Sequence, residues 1–149
     1  LFFDEFDSVA QRRDQNPDQE SRRSVNQLLT SLEKYRDERR LLVMAATLAN
    51  GGTNPMTKKK VVSPETVSYV LAVMATAGLY DDSGIWLYHS GLPAKSGVGG
   101  GILAVCPGKF GIAVNSPPLD DAGNSVKAQK VIRYVVQQLH ANPYLVQPK

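Results

Sequence analysis

The richest chemistry in this sequence lies in Gly91-Leu92-Pro93-Ala94-Lys95-Ser96-Gly97-Val98-Gly99-Gly100-Gly101. An ammonium, a hydroxyl and a glycine follow one another there and lead into an apolar run with strand character. Glycines so placed let the backbone adopt φ > 0 and approach a ligand closely. The stretch can therefore bring charge, hydroxyl and main chain up to a small polar molecule; the same letters also describe a flexible glycine loop. Tyr80, inside Gly78-Leu79-Tyr80-Asp81-Asp82-Ser83-Gly84, reads on its own as a core aromatic that follows a helix. Asp4 and Glu5 close the apolar run Leu1-Phe2-Phe3 and read as the solvated end of a strand. Lys58, Lys59 and Lys60 form the one basic run, in a turn-like stretch that reads as a solvated loop.

Composition narrows the class. The chain has 149 residues, 42% hydrophobic and 21% charged, enough for one domain with a real core. No run approaches the roughly 18 apolar residues of a membrane span, and no secretory signal opens the sequence. A start at Leu1 rather than Met reads as a cut or artificial start. The single cysteine, Cys106, excludes an internal disulfide and offers no metal cluster. It reads as a small core residue in a strand, and a reducing cytoplasm is the expected setting. The net charge of +3 is spread out: residues 1–50 carry 8 basic and 9 acidic side chains, residues 51–149 carry 9 and 5. No concentrated basic face results, so neither nucleic acid nor membrane is an expected partner.

The positioning elements follow from periodicity. Val25, Leu28, Leu29, Leu32 and Tyr35 fall at helical spacing with charges between them. Arg12–Glu20, polar and broken by Pro17, is a loop. Leu41–Ala49 suits either a buried strand or a buried helix; its alanines and the stop at Asn50-Gly51-Gly52 favour the helix. Ser63-Pro64-Glu65 opens a helix with a capping hydroxyl, a proline and an acid, with Val67, Val70, Leu71 and Met74 on its apolar face. Ile85–His89, Gly101–Val105 and Phe110–Asn115 read as strands, the last two joined through Pro107-Gly108-Lys109. Ser125–Leu139 reads as a closing helix whose apolar positions are Val126, Val131, Ile132, Val135, Val136 and Leu139. Sequential strands with tight connections give an α+β fold: an antiparallel sheet of about three strands packed by helices. A strand-loop-helix segment precedes it.

Five ordered stretches carry a resemblance over residues 43–149: Gly51-Gly52-Thr53-Asn54-Pro55, Gly78–Gly84, Gly91–Gly101, Ser116-Pro117-Pro118-Leu119-Asp120 and Gly123-Asn124-Ser125-Val126. The series closely resembles the C-terminal part of bacterial serine-dependent glutaminases, which hydrolyse glutamine to glutamate and ammonia on a β-lactamase-like fold. Lys95-Ser96-Gly97 is similar to the Lys-Thr-Gly strand element of β-lactamases and penicillin-binding proteins. The resemblance implies catalytic roles for Tyr80, Lys95 and Ser96. It also implies a glutamine-pocket wall at Tyr80 and an oxyanion-hole donor in the Val98 N–H. L-Glutamine is the implied substrate and a homo-oligomer the implied assembly, with no cofactor or metal. The family attacks with a Ser-x-x-Lys serine. Only Ser31-Leu32-Glu33-Lys34 matches those letters, by coincidence, inside a charged amphipathic helix. The family's glutamine-binding asparagine, glutamate and second tyrosine lie upstream of what this chain contains, so the isolated chain is expected to be inert.

The first 47 residues resemble something else. Leu1–Ser8 is similar to a Walker B strand of an AAA+ ATPase, and Glu20–Leu29 and Leu41–Thr47 continue the likeness. It implies Mg²⁺ support by Asp4 and water polarisation by Glu5, with ATP as ligand. No phosphate-cradling loop accompanies it. The expected organisation is therefore an ATPase-like segment, 1–47, and a glutaminase-like segment, 48–149. The shared string Val43-Met44-Ala45-Ala46-Thr47 suits both families, as in a chimera or spliced fragment.

Overall fold

Gly101–Cys106 is apolar on both faces, and a strand of that kind must be covered on both. The computed structural model describes residues 39–146, all of which lie in one unit, Glu38–Lys149. Asp4, Glu5, Ser31, Lys34 and the first strand, loop and helix lie outside the described residues.

In chain order the elements are α1 (residues 39–49), α2 (Pro64–Ala77), a 3₁₀ turn (Tyr80–Asp82), α3 (Ser83–Ser90), β1 (Ala94–Ser96), β2 (Gly101–Cys106), β3 (Phe110–Asn115) and α4 (Val126–Gln138). The sheet is antiparallel throughout, in the order β1-β2-β3, with Lys95 opposite Leu103 and Ile102 opposite Val114. Alternation along β2 divides two cores. Ile102, Ala104 and Cys106 join Trp86 of α3 and Ala128, Ile132 and Val136 of α4. Leu103 and Val105 join Ala45 and Ala49 of α1 and Met74 of α2. Helices thus cover both faces, and the α+β expectation of about three antiparallel strands holds.

Local signals account for most boundaries. The Ser63 hydroxyl accepts from the Thr66 N–H at 3.1 Å and opens α2; the Ser125 hydroxyl accepts from the Ala128 N–H at 3.2 Å and opens α4. Ala128, Ile132 and Val136, spaced by four, are the buried stripe of α4, while Val131 and Leu139 face solvent. Residues 41–49 are helical, and the Gly52 N–H closes the end of α1 by donating to the Thr47 carbonyl at 2.9 Å. The turn at Pro107–Lys109 joins β2 to β3 as expected, with Lys109 N–H donating to the Cys106 carbonyl at 3.0 Å. Cys106 is a buried strand residue.

One expected strand is corrected: Ile85–His89 lies inside helix α3, and the third strand is Ala94–Ser96. Four consecutive apolar residues, Ile85 to Tyr88, carry no periodicity that separates strand from helix. The ends decide. Gly91, at φ +68°, takes the left-handed cap and donates to the Leu87 carbonyl at 2.8 Å. Trp86 and Ser90, four apart, then bury together, the Ser90 hydroxyl donating to the Trp86 carbonyl at 2.9 Å.

Candidate active site

Tyr80 sits where α2 gives way to α3, and its backbone is unusual: φ is +52°, a left-handed conformation for a residue with a side chain. Such a residue costs on the order of 1–3 kcal/mol and persists only where its surroundings enforce it. Here the enforcement is visible. Leu79 is fully buried, and its N–H donates to the Ser83 hydroxyl at 2.9 Å. That hydroxyl in turn donates to the Tyr80 carbonyl at 2.7 Å. The Asn124 side-chain amide donates to the Leu79 carbonyl at 3.2 Å and towards an Asp82 carboxylate oxygen at 3.5 Å. The loop bearing Asn124 is itself tied down: Asp120 accepts from the Asn124 N–H at 2.8 Å and from the Gln129 side chain at 2.7 Å. The Tyr80 ring stays 43% exposed.

Lys95 and Val98 reach the same place from the β1–β2 hairpin. Lys95 is the outward residue of β1, and its ammonium lies 4.7 Å from the centre of the Tyr80 ring, a cation–π arrangement. It also donates to the Ser96 carbonyl. Val98 stands in the turn Gly97–Gly100, closed by Gly97 N–H to the Gly101 carbonyl and Gly100 N–H to the Gly97 carbonyl, each 2.9 Å. Gly100, at φ +91°, has the Ser116 carbonyl so close that a side chain would collide with it. A methyl group at Gly123 would lie 3.8 Å from the Tyr80 ring and 3.9 Å from the Val98 side chain, so three loops meet here. Among the described residues the Val98 N–H has no hydrogen-bond acceptor and the Tyr80 hydroxyl no partner.

The expected site residues therefore divide. Tyr80, Lys95 and Val98 come together as one wall. Ser96 does not join them: one residue along the strand from Lys95, it points to the opposite face, is 4% exposed, and sets its N–H 3.0 Å and its hydroxyl 3.4 Å from the Gly78 carbonyl. Sequence reasoning assigned no role to Ser83 or Asn124; both stand within the Gly78–Gly84 and Gly123–Val126 stretches, both are buried, and both hold main-chain groups of Leu79 or Tyr80, Asn124 also reaching the Asp82 carboxylate. Among the described residues no three His, Cys, Asp or Glu side chains converge as a metal site, and no helix is long and apolar enough to cross a membrane. A shallow groove lined by Gly84, Leu87, Tyr88, Asn142, Tyr144 and Leu145 shares no residue with the wall.

This mixed α+β arrangement, with a Lys-Ser-Gly hairpin beside a tyrosine turn, is the β-lactamase-like fold that its solved structural neighbours share. The family model described as Glutaminase matches residues 21–144, and the chain belongs to that family. It is 63% identical over 102 residues to the Glutaminase of Colwellia psychrerythraea, covering 68% of this chain and 33% of that protein. It is 51% identical over 122 residues to Glutaminase 1 of Escherichia coli, covering 82% and 37%. Among solved structures it resembles a probable glutaminase at 55% identity and a TM-score of 0.69, covering 71% of this chain and 34% of that one. A probable glutaminase from Bacillus subtilis complexed with 6-diazo-5-oxo-L-norleucine is similar at 28% identity and a TM-score of 0.68, covering 72% and 37%. The chain spans about a third of the length of these curated relatives.

The family match begins at residue 21 and so runs through much of the segment that resembles an ATPase. Residues 41–47 are helix, as the glutaminase reading requires, and not the strand of the ATPase reading. No described residue supports ATP or Mg²⁺ binding.

Proposed function

We propose that this chain supplies one wall of a glutamine site and serves the hydrolysis of L-glutamine to L-glutamate and ammonia. The convergence of Tyr80, Lys95 and the unpaired Val98 N–H carries the reading. In this scheme a serine hydroxyl from polypeptide beyond the described residues adds to the glutamine side-chain carbonyl. The Val98 N–H donates to the oxygen that gains charge, a contribution of about 2.7–4 kcal/mol when such a donor is removed. The Tyr80 hydroxyl assists proton movement to the departing ammonia, and the Lys95 ammonium holds the local potential positive. Water then releases glutamate. Ser96 acts from behind, fixing the hairpin against Gly78.

The same reading takes the assembly to be a homo-oligomer and the setting to be the cytoplasm. A division into residues 1–47 and 48–149 rests on sequence resemblance alone: residues 39–49 form one helix across it, and the Glutaminase match from residue 21 runs through it. Sequencing the source gene through codons 40–50 tests the join. An uninterrupted natural homologue with the same junction would remove it.

Glutamine titrated into the ¹⁵N-labelled chain should move the Val98 and Gly99 amide signals, with no ammonia release above background because no described residue supplies the nucleophile. Unmoved signals at saturating glutamine would overturn the reading. Turnover by the chain alone would overturn its inertness and direct attention to Ser31→Ala and Ser96→Ala.

A further inference from the structure

Two costs meet at one point beneath the proposed wall. Tyr80 holds φ +52°, and Asn124, wholly buried, leaves its side-chain carbonyl without a partner. Buried polar groups are nearly always satisfied, so an orphan needs a reason. The neighbours supply one. The Leu79 carbonyl and the Asp82 carboxylate can only accept, so the amide must turn its NH₂ towards them and its oxygen away. The orphan is the consequence of gripping the peptide that precedes Tyr80.

The grip is also long-range. Asn124 reaches back 45 residues to the Leu79 carbonyl, while Ser83 binds only within its own turn. Next to Asn124 in the chain, Gly123 faces both the Tyr80 ring and the Val98 side chain, which a methyl group added there would reach at 3.8 and 3.9 Å. The loop that aims the tyrosine therefore also borders the turn that carries Val98. Strain concentrated where function is expected is how functional geometry is usually stored.

We infer that Asn124 is the positioning residue of Tyr80: its amide locks the Leu79–Tyr80 peptide so that the ring faces Lys95 and stands in register with the Val98 turn. The inference rests on the glutaminase reading for its purpose, but not for its geometry, and it can fail separately.

The test places 3-fluorotyrosine at position 80 of the full chain and follows its fluorine signal. In the parent chain one line is expected, and Lys95→Met should shift it, because the ammonium is 4.7 Å from the ring centre. Asn124→Asp keeps the shape but replaces the donors with a carboxylate facing two acceptors. In that background Lys95→Met should move the line by less than half as much, with the far-ultraviolet circular dichroism retained. A merely structural residue would lower the melting temperature and leave the Lys95 response intact, and that result overturns the inference. Should Asn124→Asp not fold, the unaltered chain decides: the Asn124 side-chain amide protons should exchange with solvent at least tenfold more slowly than those of a free asparagine. Exchange at the free rate overturns the inference equally. Neither readout involves glutamine, so a parent chain that binds no glutamine while Asn124→Asp still weakens the Lys95 response would sink the functional reading alone.

Discussion

Strand β2 and the Tyr80–Lys95–Val98 wall belong to one small unit, yet they are built on opposite terms. Along β2 five consecutive residues, Ile102 to Cys106, are buried, and their neighbours are apolar side chains from four helices. The wall is made of exposed groups held by polar contacts to main chain: Tyr80 is 43% and Val98 74% exposed. Burial of apolar surface is non-directional and tolerant, so it can hold a sheet together but cannot aim a phenol. Aiming falls to Ser83 and Asn124, whose hydrogen bonds have direction. Stability and proposed function are thus separable, and each can be perturbed without the other.

The largest effect should come from the core. Trp86 is 1% exposed, and its indole N–H donates to the Leu92 carbonyl at 2.9 Å. Trp86→Ala should remove about 3–5 kcal/mol through the cavity it opens and leave a buried carbonyl unpaired. Urea unfolding would read this as a large fall in midpoint. A loss under about 1 kcal/mol would break the distinction drawn here, because α3 would then not be anchored through its tryptophan.

What the sequence made legible follows the same division. The helix caps at Ser63 and Ser125 and the hairpin at Pro107–Lys109 are short-range signals, and each appears where its residues say. Ile85–Tyr88 was illegible, since four apolar residues in a row show no period although only Trp86 among them is buried, and only the caps around the run settle its form. Of the wall, Tyr80, Lys95 and Val98 were found through resemblance, not through residue chemistry. Ser96 shows why spacing misleads on a strand: adjacent letters point to opposite faces. Asn124 was beyond reach because its partner is a carbonyl 45 residues away, and a main-chain acceptor leaves no mark in the sequence.

A middle-sized effect tests the core by pH. Burial pushes the Cys106 thiol above its ordinary 9.0, and nearby Lys109 opposes this more weakly. A raised folded value means that the unfolded chain loses its proton first as pH rises. The folded state then holds more protons, and stability falls with pH above about 9 until the folded thiol ionises too; below that value the thiol contributes no slope. Lysines and tyrosines titrate in the same range, so the comparison is with Cys106→Ala. The alkaline decline in melting temperature should be shallower in the variant. Equal slopes would mean that the thiol is solvated in the folded chain, against its 4% exposure.

The smallest effect belongs to Val98, and it is the sharpest test of the wall. Its side chain projects into solvent from a glycine turn whose closing bonds involve Gly97, Gly100 and Gly101, not Val98 itself. Val98→Ala should therefore change stability by no more than about 0.5 kcal/mol, the usual range for a surface substitution. It should also leave the glutamine-dependent movement of the position-98 amide in place, since the peptide N–H is kept. Val98→Pro removes that N–H and nothing that the core depends on. Its glutamine response at Gly99 should vanish while the melting temperature stays close to that of the parent. If alanine and proline behaved alike towards glutamine, the backbone donor would not be what the ligand meets, and the wall would consist of Tyr80 and Lys95 alone.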